Sequence, residues 1–338
     1  MDSLTQTALG AAIGQAVLDK EDARRGVVFG AICGILPDLD VLARAGGEMA
    51  MLVHHRAESH SLLVLPLVAP LIGWLGYRLL GRGRRLRSWM LLAFAALLTH
   101  PLLDVLTPYG TQLLAPLSRH RFAVDAVSIV DLFYTLPLLV GLWWGWRQRE
   151  HPRIAAGVAL AVSTAYLAFG LWQASRALEL VRPRLAQAGF AAAEVRVIPT
   201  PFNVFVRRIV ARDDQGNLML GHVSTWSDHV TPLRYLSRPA DPAVEAVEQS
   251  EALAEFKWFA MDMVSYRIQE RPDGSAVVSV ADQRYGLISR PEVAVAFEAR
   301  ARVDRGGHVH DVTLPRPTVA IDLPAELRAW WSLLAGRS

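Results

Sequence analysis

The alternation of apolar and polar stretches divides the chain into two halves. Up to about residue 175, long runs of Leu, Ala, Val, Gly and Trp are separated by short polar breaks, whereas 176–338 mixes apolar and polar residues as a soluble fold does. Six apolar runs stand out in the first half, at 3–18, 26–43, 61–80, 88–107, 127–146 and 154–174. The last four are long enough to cross a hydrocarbon core of about 30 Å, which takes roughly 20 helical residues. The first two are weaker: 3–18 is short and glycine-bearing, and 26–43 ends near two aspartates, so a hairpin that embeds only partly is expected.

The second half reads as α+β. Strand-like runs lie at 194–198, 203–211, 218–226, 275–283 and 293–303, and "RDDQGN" (212–217) is a hairpin signal between two of them. Residues 241–255 predict an amphipathic helix opened by Asp241 and Pro242. The final "AELRAWWSLLAG" predicts a helix that either lies on a bilayer interface, where Trp is favoured, or packs as an ordinary terminal helix. "DQRYG" (282–286) reads equally as a polar contact surface or a strand-end turn. The expected fold is therefore an α-helical membrane domain with about five to six embedded helices over 1–175, followed by a smaller soluble α+β domain over 176–338.

Composition sharpens this. Of 338 residues 52% are hydrophobic, more than in most soluble proteins. The formal net charge is +3, but the arginines sit in short loops between apolar runs: Arg24 and Arg25, "GRGRRLR" (81–87) and "RQREHPR" (147–153). Such loops mark the cytoplasmic side of a membrane protein; no basic face interleaved with aromatics points to nucleic acid. The single cysteine, Cys33, lies in an apolar run, which leaves no disulfide framework and no cysteine zinc site. "MDSLTQ" lacks the positive n-region of a signal peptide and reads as mature sequence. With the three Arg loops in the cytoplasm, the N-terminus and the C-terminal domain fall on the other side. So do Asp38, Asp40, His54, His55, His60, His100, Asp104, His120, Asp125 and Asp131, all at helix ends opposite the arginines.

That convergence isolates candidate chemistry. In "THPLLDVLTPYGTQLL" (99–114), His100 and Asp104 are four apart and share one helix face. "LPDLD" (36–40) offers two carboxylates after a proline, and "HRAESHS" (55–61) offers His55 and His60. Five residues apart on one helix, those two would point about 140° apart, so His55 is placed in the preceding loop, Ser59 as N-cap and His60 in the first turn. Ionisable groups inside an apolar run are functional by default, and His with Asp and no Cys suits zinc or a similar divalent ion. More than four candidate ligands leave room for more than one ion. His54, His120 and Asp125 read as solvated helix ends.

"MDSLTQ", "LPDLD", "HRAESHSLL", "LTHPLLDVLTPYGTQLL" and "IVDLFYTLPLL" (129–139), in that order over about residues 1–150, resemble the LexA-binding, inner-membrane-associated family of metal-dependent hydrolases. Two departures stand out: many members carry His where this chain has Gln6, and members often read Asp-Pro where it has Asp131-Leu132. The family is similar, distantly, to zinc-dependent phospholipase C and single-strand nucleases. The resemblance implies a multi-pass inner-membrane hydrolase acting on a phosphoester or other ester; the position of the polar helix ends, where headgroups lie, points to a lipid substrate at the membrane surface. Its ion, most simply zinc, is expected to be held by His55, His60, His100 and Asp104, with Asp40 as a further ligand. Asp38 or Asp131 is expected to orient or deprotonate a bound water, and Arg56 to hold a substrate phosphate. The competing expectation is a membrane metal-binding, transport or adaptor protein without enzymatic activity.

Overall fold

The computed structural model describes residues 1–42, 47–81, 85–148, 150–315 and 319–337. Residues 82–84 of the basic loop 81–87, and Arg149 of the loop 147–153, lie outside them. The chain divides into two compact units: Met1–Ala45, His54–Trp172 and Pro201–Asn203 form one, and Gly46–Val53, Gln173–Thr200 and Val204–Ser338 the other.

The first unit is helical. Helix α1 (Ser3–Val17) starts where the Asp2 side chain accepts the Thr5 N–H, a side-chain N-cap. It packs on α2 (Ala23–Ile35) through facing glycines: a Cβ on Gly14 would lie 1.9 Å from the Gly26 carbonyl oxygen, and one on Gly10 2.1 Å from that of Gly30. Small residues are what let helix backbones approach so closely within a membrane. A 3-10 segment (Leu36–Leu42) follows α2, and a second 3-10 turn spans Glu58–His60; α3 (Gly47–His54), between them in sequence, belongs up to Val53 to the second unit. Then come α4 (Leu65–Leu80), α5 (Leu86–Val105), α6 (Leu132–Arg147) and α7 (Pro152–Gln187). Leu18, Phe29, Cys33, Leu65, Ala69, Trp89, Leu92, Ala96 and Leu97 form a continuous apolar core among α1, α2, α4 and α5. Outward faces are apolar too: Leu67 and Leu79 of α4 and Trp143 of α6 are among the most exposed large side chains.

The expectation of five to six membrane helices is corrected. Among the described residues, only α5, with 20 residues, and α7, with 36, are long and apolar enough to cross a bilayer. A third span results if residues 47–60 and 65–80 count as one broken crossing. The α1–α2 hairpin has helices of 15 and 13 residues, about 20–22 Å each at 1.5 Å per residue and short of a full span. The fifth apolar run shrinks to the 16 residues of α6 because Asp131 caps the helix at its start. The third loses its first turn, since the helix begins only at Leu65.

The second unit is built on two antiparallel sheets. The first is a meander of β1 (Glu194–Pro199), β2 (Val206–Arg212), β3 (Leu218–Ser224) and β4 (His229–Val230), with β5 (Arg234–Leu236) also on β3. Alternation sorts its faces: Val197, Ile209, Ala211, Met219 and Val223 pack on Ala177, Val181 and Leu185 of α7, while Ile198, Val210, Leu218 and Leu220 enclose Met263. The β2–β3 hairpin forms where "RDDQGN" predicts it; Asp213 accepts the Gln215 and Asn217 N–H groups, and Gly216 supplies φ +83°. The second sheet runs β6 (Val264–Glu270), β7 (Ala276–Asp282), β8 (Glu298–Val303), β9 (Val309–Thr313). The helix expected over 241–255 is broken into α8 (Pro242–Glu248) and α9 (Glu251–Phe259), with Ser250 capping the second through the Leu253 N–H. "DQRYG" is not a surface: Asp282, Gln283 and Arg284 are buried, and Asp282 and Arg284 form a bidentate ion pair. The terminal helix α10 spans Leu323–Leu334.

Candidate metal centre

Three segments of the first unit converge on one polar point inside the apolar core. The 3-10 segment after α2 brings Asp38, the turn Glu58–His60 brings His60, and the last turns of α5 bring His100 and Asp104. One ligand atom from each of the four lies within 4.8 Å of all the others. His60, His100 and Asp104 are fully buried, while the Asp38 side chain keeps 14% of its surface exposed.

The imidazoles meet through Nε2, which are 3.0 Å apart. His60 Nε2 lies 3.2 Å from Asp104 Oδ2 and 3.5 Å from Asp38 Oδ1; His100 Nε2 lies 3.5 and 3.4 Å from the same atoms. A tetrahedron of ligands about 2.0–2.1 Å from a central ion has edges of about 3.3–3.4 Å, and these five separations, 3.0 to 3.5 Å, bracket that value.

Hydrogen bonding fixes which atoms are free to ligate. His100 Nδ1 donates to the Gly34 carbonyl at 2.6 Å, so its Nε2 carries the lone pair when the ring is neutral. His60 Nδ1 lies 2.9 Å from Ser59 Oγ, which in turn donates to Asp40 Oδ2 at 2.6 Å. Such supports behind a ligating imidazole orient it and raise its basicity. Asp104 divides its two oxygens. Oδ1 accepts from Gln6 Nε2 at 3.0 Å, lies 3.2 Å from Arg56 Nη2 and also meets the Met1 amine. Among the described residues Oδ2 has no hydrogen-bond donor; it is buried and faces the two histidines. A buried carboxylate oxygen left without a donor, beside two imidazole lone pairs, is the donor set a cation satisfies.

The remaining candidates sit elsewhere than expected. Asp40 is a support rather than a member of the four: its oxygens accept from Ser59 Oγ and the Arg56 N–H, and Oδ1 lies 2.7 Å from His55 Nδ1. Burial opposes its ionisation, but the bonds from His55 and Ser59 hold its carboxyl below the ordinary value. His55 is thereby turned to Asp40, with its ring edge-on to Tyr109, and is outside the four-ligand set. Asp38 belongs to that set; burial opposes its charge, and the His100 and His60 imidazoles hold its carboxyl low. Asp131 is far from the expected role. It accepts the Phe133 and Tyr134 N–H groups and the Tyr166 hydroxyl as the N-cap of α6, and burial pushes its carboxyl up. Ser59 lies within the 3-10 turn and caps nothing; its hydroxyl links His60 to Asp40. His54 and His120 are exposed, as expected, whereas Asp125, expected to be solvated with them, is buried.

Arg56 is 4% exposed and sits at φ +63°, a conformation that costs a non-glycine residue strain and is met at functional sites. The loop after α5 holds it there. Gln112 donates its N–H to the Arg56 carbonyl at 2.9 Å, and Tyr109 lies under the Arg56 guanidinium, 4.7 Å away, with Arg121 on the same ring at 5.2 Å. Nothing in the pattern of "PYGTQ" or in Arg121 announces this clamp, because it depends on a long loop folding back. Gln6 is 1% exposed and donates to the His100 carbonyl as well as to Asp104, so a position that stands out as a departure from the motif is in contact with two ligands.

No curated protein and no solved structure matches the chain. A family model described as YdjM inner membrane protein matches residues 1–177, which include every group of the centre. Apolar helices enclosing a buried His/Asp cluster are thus a feature of the matched region, and the chain belongs to the YdjM inner membrane protein family.

Proposed function

We propose that the protein is a metal-dependent hydrolase of the inner membrane, acting on a phosphoester or other ester at the membrane surface, with a lipid as the natural substrate class. The observation that carries this reading is the pair of imidazole Nε2 atoms 3.0 Å apart, flanked by a donor-free oxygen of Asp104. The motif resemblance to metal-dependent hydrolases supports it, as does the placement of the motifs at helix ends opposite the arginine loops. His60, His100, Asp38 and Asp104 would hold the ion, and the two-nitrogen, two-oxygen set suits zinc. A divalent ion there supplies Lewis-acid activation of a water.

The chain's own groups do the rest. Asp38 and His55 form the edge that solvent reaches, with side chains 14% and 15% exposed, so substrate approaches from their side. His55, held through Nδ1 by Asp40, presents Nε2 to accept a proton at that edge. Arg56 spends Nη2 on Asp104 and approaches Thr107 with Nη1; its Nε–H is buried without a partner among the described residues, a donor that would pair with an anionic oxygen drawn in beside Asp104. The site and the C-terminal domain are read as non-cytoplasmic, from the arginine loops.

The test is elemental analysis of the protein purified in detergent, beside His100→Ala/Asp104→Ala, followed by a phosphodiesterase and lipase panel on both. Bound metal and hydrolysis in the wild type, lost together in the variant, are expected. Equal, negligible metal in both defeats the metal reading; metal without hydrolysis of any ester defeats the enzyme reading and leaves a membrane metal-binding protein. Reporter fusions after residues 84 and 180 are expected to report opposite sides of the membrane, which requires the 16-residue α6 to return the chain between α5 and α7; the same side for both would mean that only α5 and α7 cross.

A further inference from the structure

Helix α10 has two faces of different character. One is pinned to its unit: Leu333 is 3% exposed, Ser227 Oγ donates to the Leu333 carbonyl at 2.8 Å, and the Glu326 carboxylate accepts the Ile288 and Ser289 N–H groups. The other carries Leu323, Leu327 and Trp331 at four-residue spacing, one stripe of a helix, with 62%, 51% and 64% of their surface exposed. With the opposite face fixed, this stripe cannot turn inward. Trp226, 69% exposed, precedes the serine that bonds Leu333.

The charges beside the stripe are basic. Arg328 and Arg337 are exposed, and Arg290 donates to the Ala320 carbonyl just ahead of the helix. The two acids are committed, Asp322 as the N-cap that accepts the Ala325 N–H and Glu326 on the pinned face. A Leu/Trp stripe flanked by arginine is the composition of a helix lying in the interface of an anionic bilayer. The unit is also joined by chain continuity to a helix long and apolar enough to cross a bilayer. Helix α7 carries an apolar span and continues without a break into Ala177, Val181 and Leu185, which are core residues of the unit that bears α10.

We propose that α10 docks its Leu323–Leu327–Trp331 face into the interfacial region of an anionic lipid bilayer, giving the C-terminal unit a second membrane contact besides α7. This is independent of the metal centre. The test is the full-length chain in vesicles, carrying an environment-sensitive fluorophore on Leu327→Cys, with Asp214→Cys at an exposed hairpin tip as the aqueous reference. The native Cys33 is fully buried, and the wild-type chain taken through the same labelling measures any background. In phosphatidylcholine vesicles containing phosphatidylglycerol, the label at 327 is expected to shift blue and lose most of its intensity to nitroxide-bearing lipids, while that at 214 does neither. Arg328→Glu is expected to weaken the quenching at 327, and phosphatidylcholine alone to give less of it. Water-like emission at 327 in both lipid mixtures overturns the proposal. So does a blue shift that nitroxide lipids do not quench, which would place a protein surface, such as a second copy of the chain, over the stripe.

Discussion

His60 and His100 point their Nε2 atoms at each other across 3.0 Å, and each has its Nδ1 committed to an oxygen behind it. Two neutral imidazoles so arranged present lone pairs to one another, which is repulsive unless a cation lies between them. Replacing either histidine by alanine is expected to weaken metal binding by more than the roughly 10–100-fold that loss of a supporting residue costs. Chelator competition on the purified protein measures this, and unchanged affinity in both variants would remove the pair from the site.

Ser59 and Asp40 act one step further out. Ser59→Ala or Asp40→Asn leaves all four ligands in place but removes the support behind His60, and about 10–100-fold weaker metal binding with an intact fold is expected. An effect as large as that of losing His60 itself would instead make Asp40 a ligand.

Gln6 holds the His100 carbonyl and Asp104 together inside the first unit. Gln6→Leu strips a donor from a buried carboxylate, and a loss of about 1–3 kcal/mol of stability is expected even without metal. Thermal unfolding of the metal-free protein in detergent reads it; a variant as stable as wild type shows that the other donors on Asp104 suffice.

Close backbone contact of α1 and α2 makes a sharper claim on sequence. Gly14→Ala sets a methyl against the Gly26 carbonyl and is expected to cost about 1–3 kcal/mol, as overpacking does. Gly157→Ala in α7, where a Cβ meets nothing within 4 Å, is expected to be neutral or slightly stabilising. Denaturant titration of the two in the same detergent compares them directly.

In the second unit, Glu248 binds Arg238, Lys257 and the Tyr266 hydroxyl. Burial opposes its charge, yet those three partners bring its pKa from an ordinary 4.5 to about 2. A folded-state pKa below the unfolded one gives stability that is complete above pH 4.5 and fades as the pH falls toward about 2. Glu248→Gln is expected to remove that part of the acid sensitivity, about 1–2 kcal/mol once solvent screening is allowed for. Parallel acid-unfolding curves of wild type and variant would falsify the assignment.

Chain chemistry by itself determined the two-part division, the His/Asp motifs and the strands of the β2–β3 hairpin. Each of these follows from local spacing: apolar runs, a four-residue helical repeat in His100 and Asp104, a turn built on Asp213 and Gly216. Tertiary structure decided what local spacing cannot carry. Asp131 has the composition of a site residue, but the chain turns into α6 there and spends its carboxylate on the helix cap. Asp38 and Asp40, two residues apart, separate into a member of the four-ligand set and a support, because a 3-10 turn directs one toward the histidines and the other toward Ser59 and His55. The number of full spans fell for a similar reason: an apolar run records affinity for lipid, whereas its helical length depends on where a cap or a turn interrupts it.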